Sequence, residues 1–105
     1  MNDADFDGFE WDDKKSASVF KQRGIDFVAA TEIFDGFVVE REDTRQNYQE
    51  QRFVTIGEID GILITVVWAP RKRNRRIITA WPSSNQERRI YHEHLEIQQA
   101  RSSQS

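Results

Sequence analysis

Residues 52–82 read RFVTIGEIDGILITVVWAPRKRNRRIITAWP. Arg52 to Glu58 alternates, with Phe53 set against Val54 and Ile56, which is the period of a strand. Asp60-Gly61 is a favoured hairpin pair. Ile62 to Trp68 is β-branched and apolar on both faces, so it predicts a central strand. Pro70 should stop it, Arg71 to Arg75 should form a basic loop, and Arg76 to Trp81 should be a further strand ended by Pro82. Short connections between consecutive strands imply an antiparallel meander.

Upstream of this stretch the period is helical. Asp12 or Asp13 can cap a helix whose last turn holds Lys21 and Arg23, an order that suits the helix dipole. Gly24 stands where a left-handed C-terminal residue is wanted. Asp26 can cap a second helix, in which Phe27, Ala30, Ile33 and Phe34 form one stripe until Asp35-Gly36. Phe37 to Glu42 reads as one more strand, and Thr44 to Glu50 as loop. Downstream, Ser84 to Glu87 fits a capping box for a last helix, with Ile90, Tyr91, His94 and Leu95 on one side. The expected fold is α+β: two N-terminal helices, an antiparallel four-stranded sheet and a C-terminal helix.

The chain has 105 residues, enough for one domain. That domain should occupy residues 9–97, between a disordered acidic leader (1–8) and a disordered polar tail (98–105), since neither end carries enough apolar surface to offset its ordering. No apolar run approaches the ~20 residues of a membrane-spanning helix, and the acidic start has no signal-peptide core. A cytoplasmic location with no membrane contact is the expectation. With no cysteine and only 2 histidines, thiol nucleophiles, cysteine-bound metals and most histidine metal sites drop out. Neither a metal nor a cofactor is expected.

The net charge of −3 conceals an asymmetry. Residues 1–70 hold 15 acidic and 7 basic side chains, and residues 71–105 hold 3 and 8, giving −8 and +5. That polarity suggests an acidic face and a basic face on one small body. Within the basic part, Arg71, Lys72, Arg73, Arg75 and Arg76 make a cluster suited to phosphate, and the flanking Trp68 and Trp81 could stack on exposed bases. The same residues also fit a solvated hairpin tip with two core tryptophans. Arg52 and Arg76 each begin a strand beside apolar residues. Each could reach across the sheet to stabilise an anion, or could pair with Glu10, Asp12 or Glu87. His92 and His94 lie about 200° apart on a helix and cannot hold one ion together.

The set Phe9-Glu10-Trp11-Asp12, Gly24-Ile25, Phe27, Arg52, Ile56-Gly57, Arg76-Ile77-Ile78-Thr79-Ala80 and Glu87-Arg88-Arg89, in this order and spacing, resembles the BrnT family of type II toxins. These are small RelE-like ribonucleases paired with an antitoxin. The resemblance spans about residues 9–95. It implies a RelE-like fold and metal-independent RNA cleavage, in which the substrate's own 2′-hydroxyl attacks the phosphodiester. It also implies a BrnA-type ribbon-helix-helix antitoxin, a toxin–antitoxin heterotetramer, and contact with DNA only through that antitoxin. On this reading Arg52 and Arg76 clamp the scissile phosphate and Arg23 stands at the pocket edge. Tyr91 or His92 carries a proton, and Arg71, Lys72, Arg73 and Arg75 guide the RNA backbone, with Trp68 and Trp81 as stacking surfaces. The chain departs from the family pattern at Val19, at Gln22-Arg23 and at Trp81, where an asparagine, a lysine-histidine pair and an arginine are usual. Two other readings stand beside the nuclease: a catalytically degenerate toxin fold kept as an antitoxin-binding partner, and a small RNA-binding module.

Overall fold

Asp60 and Gly61 both take positive φ, 50° and 83°, the backbone that a two-residue hairpin turn requires. They join β3 (Phe53–Ile59) to β4 (Ile62–Arg71), with Phe53 opposite Trp68 and Ile59 opposite Ile62. This computed structural model describes residues 6–47 and 49–103. Pro70 does not stop β4. It sits opposite Arg75, and the strand continues to Arg71 opposite Asn74, so the basic loop shrinks to a tip at Lys72-Arg73 before β5 (Asn74–Pro82).

Among the described residues the sheet has five strands rather than four and is mixed rather than antiparallel. β1 (Gly8–Trp11) runs parallel to β5, and β2 (Val39–Glu42) pairs antiparallel with β3, giving the order β1-β5-β4-β3-β2. A four-residue strand shows too little alternation to be read from its residues. Its discovery moves the domain start, because Gly8 belongs to the sheet and Phe6 meets Trp68 edge-on at 5.2 Å. Residues 1–5 of the expected leader lie outside the described residues. The C-terminal helix α3 (Asn85–Ser103) likewise extends through residues 98–103, which were expected to be tail.

Register fixes which side chains share a face, because residues directly opposite point the same way. One face carries Phe53, Thr55, Gly57, Ile64, Val66 and Trp68. It is covered by α1 (Asp13–Arg23), α2 (Phe27–Ala30) and a 3₁₀ helix (Thr31–Asp35), whose Val19, Phe27, Ile33 and Phe34 complete the main core. Each such side chain contributes roughly 1.5–3 kcal/mol when fully buried. The helix ends follow their chemistry. Asp12 accepts from the Lys15 amide at 3.0 Å, Asp26 from the Val28 amide at 2.9 Å, and Gly24 closes α1 at φ 73°. The second helix breaks into an α turn and a 3₁₀ turn at Thr31.

The other face is only partly covered. Tyr91 and Leu95 of α3 pack on Ile56 and Leu63 at the end near the β3–β4 turn. The capping box forms as expected, with the Ser84 amide donating to Glu87 at 2.8 Å and the Glu87 amide to Ser84 Oγ at 3.1 Å. Toward the basic tip Val54, Val67 and Ala69 of this face are buried, while Arg52 and Arg76 beside them stay half-exposed.

Candidate functional site

The open face gains its arginines from a break in β5. Thr79 stands opposite Val67 but Ile77 opposite Trp68, so Ile78 is an extra residue, a β-bulge. Strict alternation counted back from Thr79 would turn Arg76 toward the covered core and Arg75 outward. The bulge reverses this. Arg76 falls opposite Ala69 on the open face, and Arg75 opposite Pro70 on the covered one.

Arg75 is accordingly buried, 7% exposed, with its guanidinium 4.3 Å from the Phe34 ring, 4.7 Å from Phe6 and 4.9 Å from Trp68. It is a cation packed among aromatic faces, which removes it from any RNA-guiding surface. Trp68 is 0% exposed and stacked on Phe53, and its indole N–H donates to Thr55 Oγ1 at 2.8 Å. No base can reach that ring.

Arg52 immediately precedes β3. One step past the Phe53–Trp68 pair, it lies beside Ala69, whose other neighbour is Arg76. β1 then places Glu10 opposite Arg76. The row across the open face is Arg52, Ala69, Arg76, Glu10. Two strand spacings set the arginine backbones about 10 Å apart, with the buried Ala69 between them. Both are half-exposed, so a phosphate can approach them. Arg71 follows on the same face, 3.3 Å from Glu50, which also lies 3.9 Å from Arg52.

Glu10 organises the row. It accepts from Arg76 at 2.9 Å and from the Asn74 amide group at 3.3 Å. The Asn74 hydrogen bond first, and then Arg76, hold its carboxyl below the ordinary glutamate value, so it stays ionised and is a poor base at neutral pH. Its partnership with Arg76 was one of the open alternatives in the sequence. Its position inside the row depends on β1, which the sequence did not disclose.

The remaining candidates lie elsewhere. Arg23 donates to Thr79 Oγ1 at 2.9 Å and to the Ala80 carbonyl at 3.0 Å, closing the stretch of β5 that β1 leaves without a neighbouring strand. Tyr91 is buried against Phe37, and burial with the nearby Glu58 charge pushes its hydroxyl above the ordinary value. His92 is exposed on α3 next to it. Ile56 and Thr65 define the row beneath α3, four residues along β4 from Ala69, so these proton carriers are roughly 13 Å of strand from the arginines. Trp81 is half-buried and donates to Glu87 at 3.0 Å. Lys72 and Arg73 form the exposed tip, with Arg73 paired to Asp7. The arrangement can bind and polarise a phosphodiester, while the side chains best suited to move a proton lie at the other end of the sheet.

A family model described as the ribonuclease toxin BrnT of type II toxin–antitoxin systems matches residues 11–87. The chain belongs to the BrnT family. Its fold is also that of the crystal structure of the Brucella abortus ribonuclease toxin BrnT, with a TM-score of 0.56 and 23% identity over 74% of this chain and 97% of that one. No curated protein matches. The BrnT match begins at Trp11 in β1 and takes in both arginines of the row, but it ends at Glu87, so residues 88–103 of α3 lie beyond it. As a family member, the chain is the toxin side of a toxin–antitoxin pair. Among the described residues no helix is long and apolar enough to cross a membrane.

Proposed function

We propose that the chain is an endoribonuclease whose phosphate clamp is Arg52 and Arg76. The observation that carries this reading is their position either side of Ala69, half-exposed, on the sheet face turned away from α1 and α2. Cleavage follows from the substrate's own chemistry. The 2′-oxygen bonds to phosphorus, the bond to the 5′-oxygen breaks, and the 2′-proton passes through water to the leaving oxygen. The products are a 2′,3′-cyclic phosphate and a 5′-hydroxyl. Two guanidinium groups offset the charge gathering on the phosphorus oxygens, a contribution that needs no metal. Arg71, Lys72 and Arg73 lead the backbone toward the row, and Trp81 offers an edge for a base.

Arg23 holds the sheet edge in this reading rather than touching substrate. Tyr91 and His92 take no part in the reaction. An antitoxin of the ribbon-helix-helix type completes the pair in the cytoplasm as a heterotetramer. It carries all contact with DNA, since the arginine row suits a single strand that can lie on the sheet.

The competing reading is a toxin fold retained only for its antitoxin. It is favoured by the distance between the arginines and the proton carriers. The deciding experiment is cleavage of a labelled RNA by the purified chain with EDTA present, beside Arg76→Ala. Cleavage by the parent chain that disappears in the variant supports the clamp. An inactive parent with an intact melting transition supports the binding-only fold.

A further inference from the structure

Helix α3 meets the sheet along only one of its stripes. Tyr91 and Leu95 are packed on Ile56 and Leu63, whereas Glu87, Ile90, His94, Ile97 and Arg101, spaced three and four apart, line a groove between α3 and β2. The groove has a volume of about 1290 Å³. Its floor is the half-buried Val39 over the buried Val54 and Ile56, and Ile97 stands 51% exposed on its wall. Ile97 does not stand alone, since Ile90 and Val39 are half-buried in the same groove, and it is such a contiguous apolar patch that points to a partner.

The charges around the groove are not balanced. Of its two carboxylates, Glu40 turns to the opposite sheet face, where it accepts from Thr55 and from the Trp68 indole, and Glu87 is engaged by the Ser84 amide and the Trp81 indole. Its two arginines, Arg41 and Arg101, are exposed and have no carboxylate partner among the described residues. The chemistry on offer is therefore an apolar trough with cations at its rim. Nucleic acid fits this poorly, because its phosphates would lie over isoleucine and valine. A helix fits it well. The wall from Glu87 to Arg101 runs about 21 Å at the α-helical rise, room for four turns of a partner helix laid alongside.

We propose that this groove receives an acidic amphipathic helix of a protein partner, which on the reading above is the antitoxin. The partner's apolar stripe covers Ile90, Ile97 and Val39, and its carboxylates meet Arg41 and Arg101. Beyond Glu87, this wall is built by the part of α3 that the BrnT match does not include.

The test uses the full chain and fluorescence anisotropy. The probe is a labelled peptide of about 18 residues, a little longer than the wall, with leucines at positions i, i+3, i+4 and i+7 and glutamates on the other face. Its counterpart carries lysines in place of the glutamates. The glutamate peptide is expected to bind and the lysine peptide to bind at least about tenfold more weakly, a gap of about 1.4 kcal/mol. Ile97→Asp should weaken the glutamate peptide by a similar factor, and Arg41→Glu with Arg101→Glu should reverse the preference. These positions are exposed, so unchanged melting verifies the fold. No binding, equal binding of both peptides, or indifference to the substitutions overturns the proposal, as does self-association of the chain that buries the groove. RNA cleavage by the same proteins separates the two claims. Peptide binding without cleavage sinks the nuclease and keeps the groove, while cleavage without peptide binding does the reverse.

Discussion

Arg75 and Arg76 are chemically identical neighbours with opposite environments. Nothing in the run from Arg71 to Arg76 distinguishes them, because alternation says that one faces in and the other out but not which. The choice is made by the bulge at Ile78, two residues away. Arg75→Ala is expected to lower stability by about 2 kcal/mol or more, since it empties a place among Phe6, Phe34 and Trp68 and removes desolvated cation–π contacts. Arg76→Ala is expected to lower stability by no more than about 1 kcal/mol, the scale of a half-exposed ion pair, and to slow RNA cleavage about 10²–10³-fold, the usual scale for losing one donor to a charged transition state. Thermal unfolding and single-turnover cleavage on the two variants give the comparison. Equal effects on both measurements would contradict the assignment of faces. The same reasoning limits what tryptophans reveal in a sequence. Trp68 and Trp81 flank one basic run at similar distances, yet one is sealed under Phe53 and the other lies half-buried against Glu87.

At the scale of elements, the strands with strong alternation and the capped helices were legible, and the weak pieces were not. Asp12, Gly24, Asp26 and Ser84 each announce a helix end because the chemistry is local. β1 was hidden because its four residues acquire meaning only beside β5, more than sixty positions later. Its short length has a consequence at the sheet edge. β5 continues past Ile77 without a strand partner, and Arg23 reaches round from α1 to take the Ala80 carbonyl. Arg23→Ala should therefore cost about 1 kcal/mol of stability and leave cleavage intact, the opposite of what a pocket residue would show. Gly57 marks a second tight junction. A Cβ there would stand 2.6 Å from Ile33 Cβ, so the 3₁₀ helix approaches β3 too closely for any side chain. Gly57→Ala is expected to destabilise by about 1–3 kcal/mol in denaturant melts. Ile33→Ala should not rescue it, because the offending atom is one that alanine keeps.

Across the whole molecule, the acidic and basic parts of the sequence do not separate into two faces. β1 carries Asp7 and Glu10 alongside β5, where they pair with Arg73 and Arg76. RNA must therefore compete with the chain's own carboxylates for its cations. Glu10→Gln removes one such competitor. It should tighten RNA binding and steepen the dependence of log affinity on log salt by about 0.7, the increment for one more phosphate contact on a single strand. Acid should reproduce part of this. The carboxyl of Glu10 is held below its ordinary value by Asn74 and Arg76, so its contribution to stability is fully present above the ordinary range and is lost as pH falls through the lower folded value. Parent chain and Glu10→Gln should thus differ in melting temperature at neutral pH and converge in strong acid. A salt slope unchanged by the substitution would mean that Arg76 takes up no phosphate even when freed of Glu10, and the clamp would then have to be sought at Arg52 and Arg71 alone.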